Sequence, residues 1–392
     1  NQWAEVSSYV EKASIQFSAP DPYWYEVGES AASLNNVSDV PVLYSQEDTN
    51  ESATFRYVAA RLRSTGQWSN LGPPGAGGTY TDIRALAEDD VYLYIGGDFL
   101  NFDGIANADN IVRYHKQDGT YSALGSGLND IVRAMAIGPD GSVYIGGEFL
   151  DAGGVAAADY ITRWDGSSFN AVGTPNTGTA SIVYIWAMTF DQAGNLYVGG
   201  FFTNFADIAN ADYIARWSTS NNNWNALSTG ADTVVRALAV GQDNTLYLGG
   251  SFTIIGGVSA TSIASWNGST FSALGSGLNT TVNAIAISQN NIVYAAGVFQ
   301  ASGSTTVRFV ASWNGVTWSA LGDGLSDTGW SLAIGADNFL YVSGQFTTAG
   351  GIVLADRIAK WNGYSWAHLD IDLPGSSIAY AILASKFTDP GI

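Results

Sequence analysis

Apolar and polar positions alternate along most of the chain in short runs such as Ile131–Ile137 (IVRAMAI) and Ser142–Phe149 (SVYIGGEF), and helical periodicity is absent throughout. A period of two places every second side chain on one face, as strands half-buried on a core require. The runs are rich in β-branched and aromatic residues and are separated by tight turns such as Gly138–Gly141 (GPDG) and by Asp-Gly or Asn-Gly pairs, so neighbours read as antiparallel hairpins. Each unit reads as four strands. Strand a (IVRAMAI) turns tightly into strand b (SVYIGGEF), a longer loop leads to strand c (YITRW), and a short turn leads to strand d, typified by TWSALG from Thr317 to Gly322.

The units repeat. A Tyr-x-Gly-Gly signature begins at Tyr94, Tyr144, Tyr197 and Tyr247, with variants at Tyr294 (YAAG) and Tyr341 (YVSG), about every 50 residues. A second aromatic series keeps step at Tyr114, Trp164, Trp217, Trp266, Trp313 and Trp361, and a third at Tyr121, Phe169, Trp224, Phe271, Trp318 and Trp366. Four strands in a period of this length make a propeller blade. Strand a recurs near Ile83, Val132, Val183, Val235, Val282, Trp330 and finally Ile378, whereas the chain opens partway through a unit: Pro41–Gln46 as strand b, Arg56–Leu62 as c, Gln67–Gly72 as d. The expected fold is an all-β, seven-bladed propeller of four-stranded blades. C-terminal strand a joins N-terminal strands b, c and d, because an open ring would leave two unpaired edges. The expected organisation is an N-terminal arm (1–39), the propeller (40–385) and a tail (386–392). The closing blade combines 40–72 with 378–385, and full blades span about 81–124, 131–173, 182–228, 234–275, 282–322 and 329–370.

The fuller unit reads YLGGSFTIIGG (Tyr247–Gly257), SIASWNG (Ser262–Gly268) and FSALGSGL (Phe271–Leu278). It resembles the kelch-like blade, and more closely the GG-x-F-T repeats of phage tail and prophage proteins and large bacterial surface proteins. The resemblance covers roughly residues 80–373 and implies the propeller fold. It is weak for function, since such propellers serve many roles. The variants after Tyr294 and Tyr341 imply that those blades tolerate a side chain at a close backbone approach.

Composition narrows the chemistry. Acidic residues outnumber basic ones 35 to 15, giving a formal charge of −20. A field of that sign opposes nucleic acid and anionic membrane. No apolar run reaches the roughly 18 residues of a membrane helix. The absence of cysteine removes disulfides, thiolate metal sites and a cysteine nucleophile. Abundant Gly, Asn, Ser and Thr with scarce Lys suit an extracellular, virion or cell-surface location, and a start at Asn1 implies a leader lost by processing or trimming.

Catalytic constellations are thin. His115 and His368 are the only histidines and fall in different units, so the expectation is of a chain that is not an enzyme. Asp140, Asp191, Asp243 and Asp337 sit in a–b turns, where aspartate caps its own backbone. Asp109, Asp159, Asp212 and Asp356 recur before strand c, read as turn caps or blade fastenings, with an acidic ring for calcium as the sharper alternative. No EF-hand-like loop indicates calcium, and no cofactor is expected.

Rigid blades with variable loops on one side suggest a binding face. The b–c and d–a loops emerge together, and Phe102, Asp103, Phe205, Asp207 and Arg308 are the candidate contacts there; Tyr23, Trp24 and Tyr25 form a candidate interface on the N-terminal arm. The expected role is a non-catalytic module of a virion tail or cell surface recognising a protein or glycan receptor. The alternative is a structural subunit of a tail, fibre or surface assembly, docked on neighbouring subunits through the arm.

Overall fold

The computed structural model describes residues 41–45, 57–61, 68–70, 79–174, 181–369 and 378–383. They form a multi-bladed, propeller-like arrangement of four-stranded antiparallel sheets. Six blades, I to VI, are each built from strands consecutive in the chain apart from small loop hairpins, with inner strands a at Thr79–Glu88, Val132–Ile137, Ser181–Phe190, Val235–Val240, Val282–Ile287 and Gly329–Ile334. A further four-stranded sheet crosses the ends of the chain in the order Trp68–Asn70, Tyr57–Arg61, Pro41–Ser45, Ile378–Ile382. Leu43 lies opposite Ala381 and Val42 opposite Ile382. Ile378–Ile382 also packs beside strands a of blades VI and I, and the Ile382 amide donates to Ser331 Oγ at 3.2 Å. Seven equal blades were expected; six are built wholly from their own unit, and the end sheet depends on this pairing of distant segments. Leu62 and the arm with Tyr23, Trp24 and Tyr25 lie outside the described residues.

The core lies between blades rather than inside any one. Tyr94 and Ala85 of blade I pack with Val132, Ile145, Trp164 and Phe169 of blade II in one buried cluster, and equivalent clusters follow around the arrangement. Within each blade the strand c and strand d aromatics pair edge to face or tilted, from Trp266–Phe271 at 4.6 Å between centroids to Trp313–Trp318 at 5.5 Å. Burying each such ring contributes about 2–3 kcal/mol, and each pairing about 0.5–1.5 kcal/mol more. This is the stabilisation available to a chain without disulfides.

Polar ties register neighbouring blades. The indoles of Trp224, Trp318 and Trp366 donate to the carbonyls of Val172, Leu274 and Leu321 in the preceding blade. On the a–b side, Asn244, Asn291 and Asn338 accept from the amides of Gln192, Gln242 and Gln289 one blade earlier, at 2.9–3.0 Å. Each of these asparagines has positive φ, which asparagine tolerates better than most side chains. Inside the turns, Tyr94, Tyr197 and Tyr341 donate to Asp89, Asp191 and Asp337. Burial, and then the bond to Asp89, push the Tyr94 phenol well above its ordinary pKa.

Removing residues 378–392 strips the inner strand from the end sheet and uncovers blades I and VI. The melting temperature followed by circular dichroism is expected to fall by on the order of 10 °C; an unchanged melting curve would contradict the packing role of this strand.

Candidate functional site

Every strand a breaks its register with strand b at one equivalent point. In blade II, Val132 pairs Gly147 and Ala134 pairs Gly146, leaving Arg133 as the extra residue of a β-bulge. The same shift singles out Arg84, Trp186, Arg236, Asn283 and Trp330 in the other five blades. The end sheet shifts between Leu43 and Ser45, beside Tyr380. A bulge re-aims a side chain, and here all seven line one central channel of about 440 Å³.

The glycine pairs explain the bulge. A Cβ on the second glycine (Gly97, Gly147, Gly200, Gly250, Gly297 or Gly344) would lie inside 3.0 Å of a strand a carbonyl oxygen, that of Asp82, Ile131, Tyr184, Val234, Thr281 or Thr328. All six blades keep this glycine. The first glycine meets the neighbouring blade instead: Gly96 faces Val132, Gly199 faces Val235 and Gly249 faces Val282. The side chains at YAAG and YVSG therefore sit at a blade junction, not at the backbone approach expected from the sequence. Ala296 is accommodated because the next blade carries Gly329 where others carry valine or isoleucine; a Cβ there would stand 2.8 Å from Ala296 Cβ.

The channel is cationic on one side in a strongly acidic chain. Arg84 pairs with Asp82, and Arg133 Nε donates to Glu148 at 2.6 Å. Arg133 and Arg236 both stack on the Trp186 ring, at 4.7 and 4.4 Å to its centroid. Burial lowers the Arg236 pKa, and the nearby positive charge of Arg133 adds to that shift. Arg236 has no carboxylate within ion-pair distance among the described residues, and its Nε lacks a hydrogen-bond partner, as do the buried Arg84 Nε, Asn283 Oδ1 and Trp330 Nε1. Asn283 Nδ2 donates to the Gly329 carbonyl at 3.2 Å, while Trp330 packs edge-on to Tyr380.

The sequence-derived candidates fall differently. Phe102 (6% exposed) and Phe205 (0%) are core residues. They pack on Tyr121 and Trp224 at 5.0 and 4.7 Å, so neither offers a ring to a partner. The same loop position is filled by buried Ala152, Ile255, Ser302 and Ala349 in the other blades. Asp103 and Asp207 are half-buried, with φ of 54° and 57°, in turns where most blades place glycine. Arg308 is exposed. The face nevertheless carries apolar surface: Leu100, Leu150, Phe201, Ile254, Val298, Val353 and Leu354 are exposed along the ends of strands b and the loops after them. Phe201 joins a contiguous aromatic group with Tyr184, Trp186 and Tyr213.

The recurrent acids act locally. Asp109, Asp159 and Asp212 accept from the amides of Asn101, Asp151 and Asn204 at 2.7–2.9 Å, closing the b–c loops as turn caps. No group of three or more His, Asp or Glu able to hold a metal occurs among the described residues. His115 ends a strand c, packed on Tyr92 and 3.2 Å from Asp118. No helix among the described residues is long and apolar enough to cross a membrane.

No family model matches the chain, and no curated protein matches it. Solved structures do. The extracellular domain described for a one component system of B. thetaiotaomicron is similar with a TM-score of 0.51 at 12% identity, over 82% of this chain and 38% of that one. The chain thus spans well under half of that domain. Virginiamycin B lyase from Staphylococcus aureus, catalytically inactive and with quinupristin, gives 0.47 at 13% identity over 74% of this chain and 85% of that one. The computationally designed Ika8 protein gives 0.46 at 18%, covering 83% of each chain. These likenesses concern the fold, a general propeller arrangement with which kelch-like blades are consistent. One expectation is corrected: the lack of a recognisable catalytic motif excludes no activity, so the chain is not thereby a non-enzyme, and solved lyase structures are among those similar to it in fold.

The channel arginines differ in a measurable way. Arg133→Met leaves the Glu148 carboxylate half-buried and unpaired, and is expected to cost roughly 1–3 kcal/mol in urea unfolding. Arg236→Met removes a desolvated cation without stranding a partner and is expected to be neutral or slightly stabilising. Equal losses for the two variants would contradict this account of the channel.

Proposed function

We propose that the chain is a recognition module of an extracellular assembly, on a virion tail or a cell surface, which engages a protein or glycan receptor through the face of the b–c and d–a loops. In this reading the ring is seven-bladed, closed by Ile378–Ile382 beside Pro41–Ser45. The observation that carries it is the sidedness of the exposed apolar side chains. Phe201, Ile254, Val298, Val353 and Leu354 crowd the proposed face, whereas the opposite face shows Val91, Val316 and Tyr364 at separate turns. Apolar groups gathered on one side of a rigid scaffold mark interaction surfaces. Asp103, Asp207 and Arg308 supply its charged rim, and Phe102 and Phe205 hold the loops from beneath. The extracellular placement draws support from the similar domain of B. thetaiotaomicron and from the composition.

Changing Phe201, Ile254, Val353 and Leu354 together to Ser is expected to weaken binding to cells or to an arrayed glycan at least tenfold, with the melting temperature unchanged within a few degrees. Undiminished binding by the folded variant would contradict the reading. If deletion of 1–39 then abolished incorporation into a larger particle, a structural subunit docked through Tyr23, Trp24 and Tyr25 would replace it.

A further inference from the structure

The central channel holds polar groups that the fold itself does not use. Arg236 brings a guanidinium, without a carboxylate, onto the face of Trp186. Arg84 Nε, Trp330 Nε1 and Asn283 Oδ1 add two further donors and one acceptor, each buried and without a hydrogen-bond partner among the described residues. Unpaired buried groups cost stability, and several on residues lining one cavity need a cause. Structure alone supplies none. A channel needing only to be filled would take apolar side chains, and a chain with 35 acidic residues has ample carboxylates to neutralise a third arginine.

The chemistry of the set is selective. A planar guanidinium recognises a carboxylate through two parallel hydrogen bonds. The indole and phenol rings of Trp186, Trp330 and Tyr380 offer flat apolar surface. Asn283 Oδ1 is an acceptor, which a sugar hydroxyl would satisfy. The cavity of about 440 Å³ suits a small molecule. We propose that the channel binds the carboxylate of an acidic sugar, a uronic or sialic acid residue, with Arg236 as its principal contact. Arg84 and Trp330 donate to the sugar's oxygens, and Asn283 accepts from a hydroxyl. This site is distinct from the loop face and rests on the bulged inner strands.

The test is titration of the full chain at low salt, read by tryptophan fluorescence and calorimetry, with glucuronate, N-acetylneuraminate, glucose and inorganic phosphate. Saturable binding of at least one acidic sugar is expected, with glucose and phosphate at least tenfold weaker. Arg236→Gln is expected to weaken the acidic sugar at least tenfold. Arg236→Lys, which keeps the charge and loses the planar fork, is expected to fall between; it carries the test if the glutamine variant does not fold. Phosphate binding as tightly as the sugar acids, affinity unchanged in either folded variant, or no binding by any probe would overturn the proposal. Such a failure with receptor binding still lost in the loop-face variant would remove the channel assignment and leave the loop-face reading in place.

Discussion

One close approach governs the rest of the molecule. Where strand b passes the start of strand a, the second glycine of each pair lies so near a strand a carbonyl that no Cβ fits. The approach accompanies an extra residue in strand a, and that residue turns into the channel. The glycine is needed for lack of space rather than for a left-handed φ, since these six glycines are not among those with positive φ. Repeating the device around the arrangement places one bulged side chain per inner strand at the same level. The blade junctions then need only a small residue opposite a β-branched one, which is why Ala296 and Gly329 can exchange those roles.

Two surfaces follow, with different physics. The loop face gathers exposed apolar side chains above capped turns, a surface suited to a large partner. The channel is narrow, polar and partly desolvated, so a charge inside it interacts more strongly than one at the surface. The −20 chain as a whole repels anions at long range, yet among the described residues Arg84 and Arg133 of the channel pair with Asp82 and Glu148 while Arg236 has no carboxylate partner. Selectivity there must come from contact, not from steering.

The fold was largely legible because its determinants repeat as letters. Tyr-x-Gly-Gly, the paired aromatics and the turn acids recur at fixed spacing, and the strands a to d fall where alternation places them. The channel was not legible for the converse reason. The bulged position reads Arg84, Arg133, Trp186, Arg236, Asn283, Trp330 and Tyr380, seven positions with four residue types and no common property, inside runs that otherwise look like plain alternation. A bulge shifts register by one, and period-two reading cannot see that shift. Phe102 and Phe205 misled because variation among Phe, Ala, Ile and Ser resembled loop diversity. Aligned in register, the position is a plug beneath the loop, filled to suit the strand d ring it meets. The turn acids were read as caps because aspartate two residues before an amide has an ordinary local use, and that is the bond they make.

The central claim is steric and can be measured at neighbouring positions in blade V. Gly297 is the second glycine, against the Thr281 carbonyl, and Ala296 holds the first position, at the blade junction. In urea unfolding, Gly297→Ala is expected to cost about 1–3 kcal/mol, as forced overlap in a packed interior does, and Ala296→Gly under about 1 kcal/mol. A Gly297→Ala protein within about 0.5 kcal/mol of the parent would contradict the account.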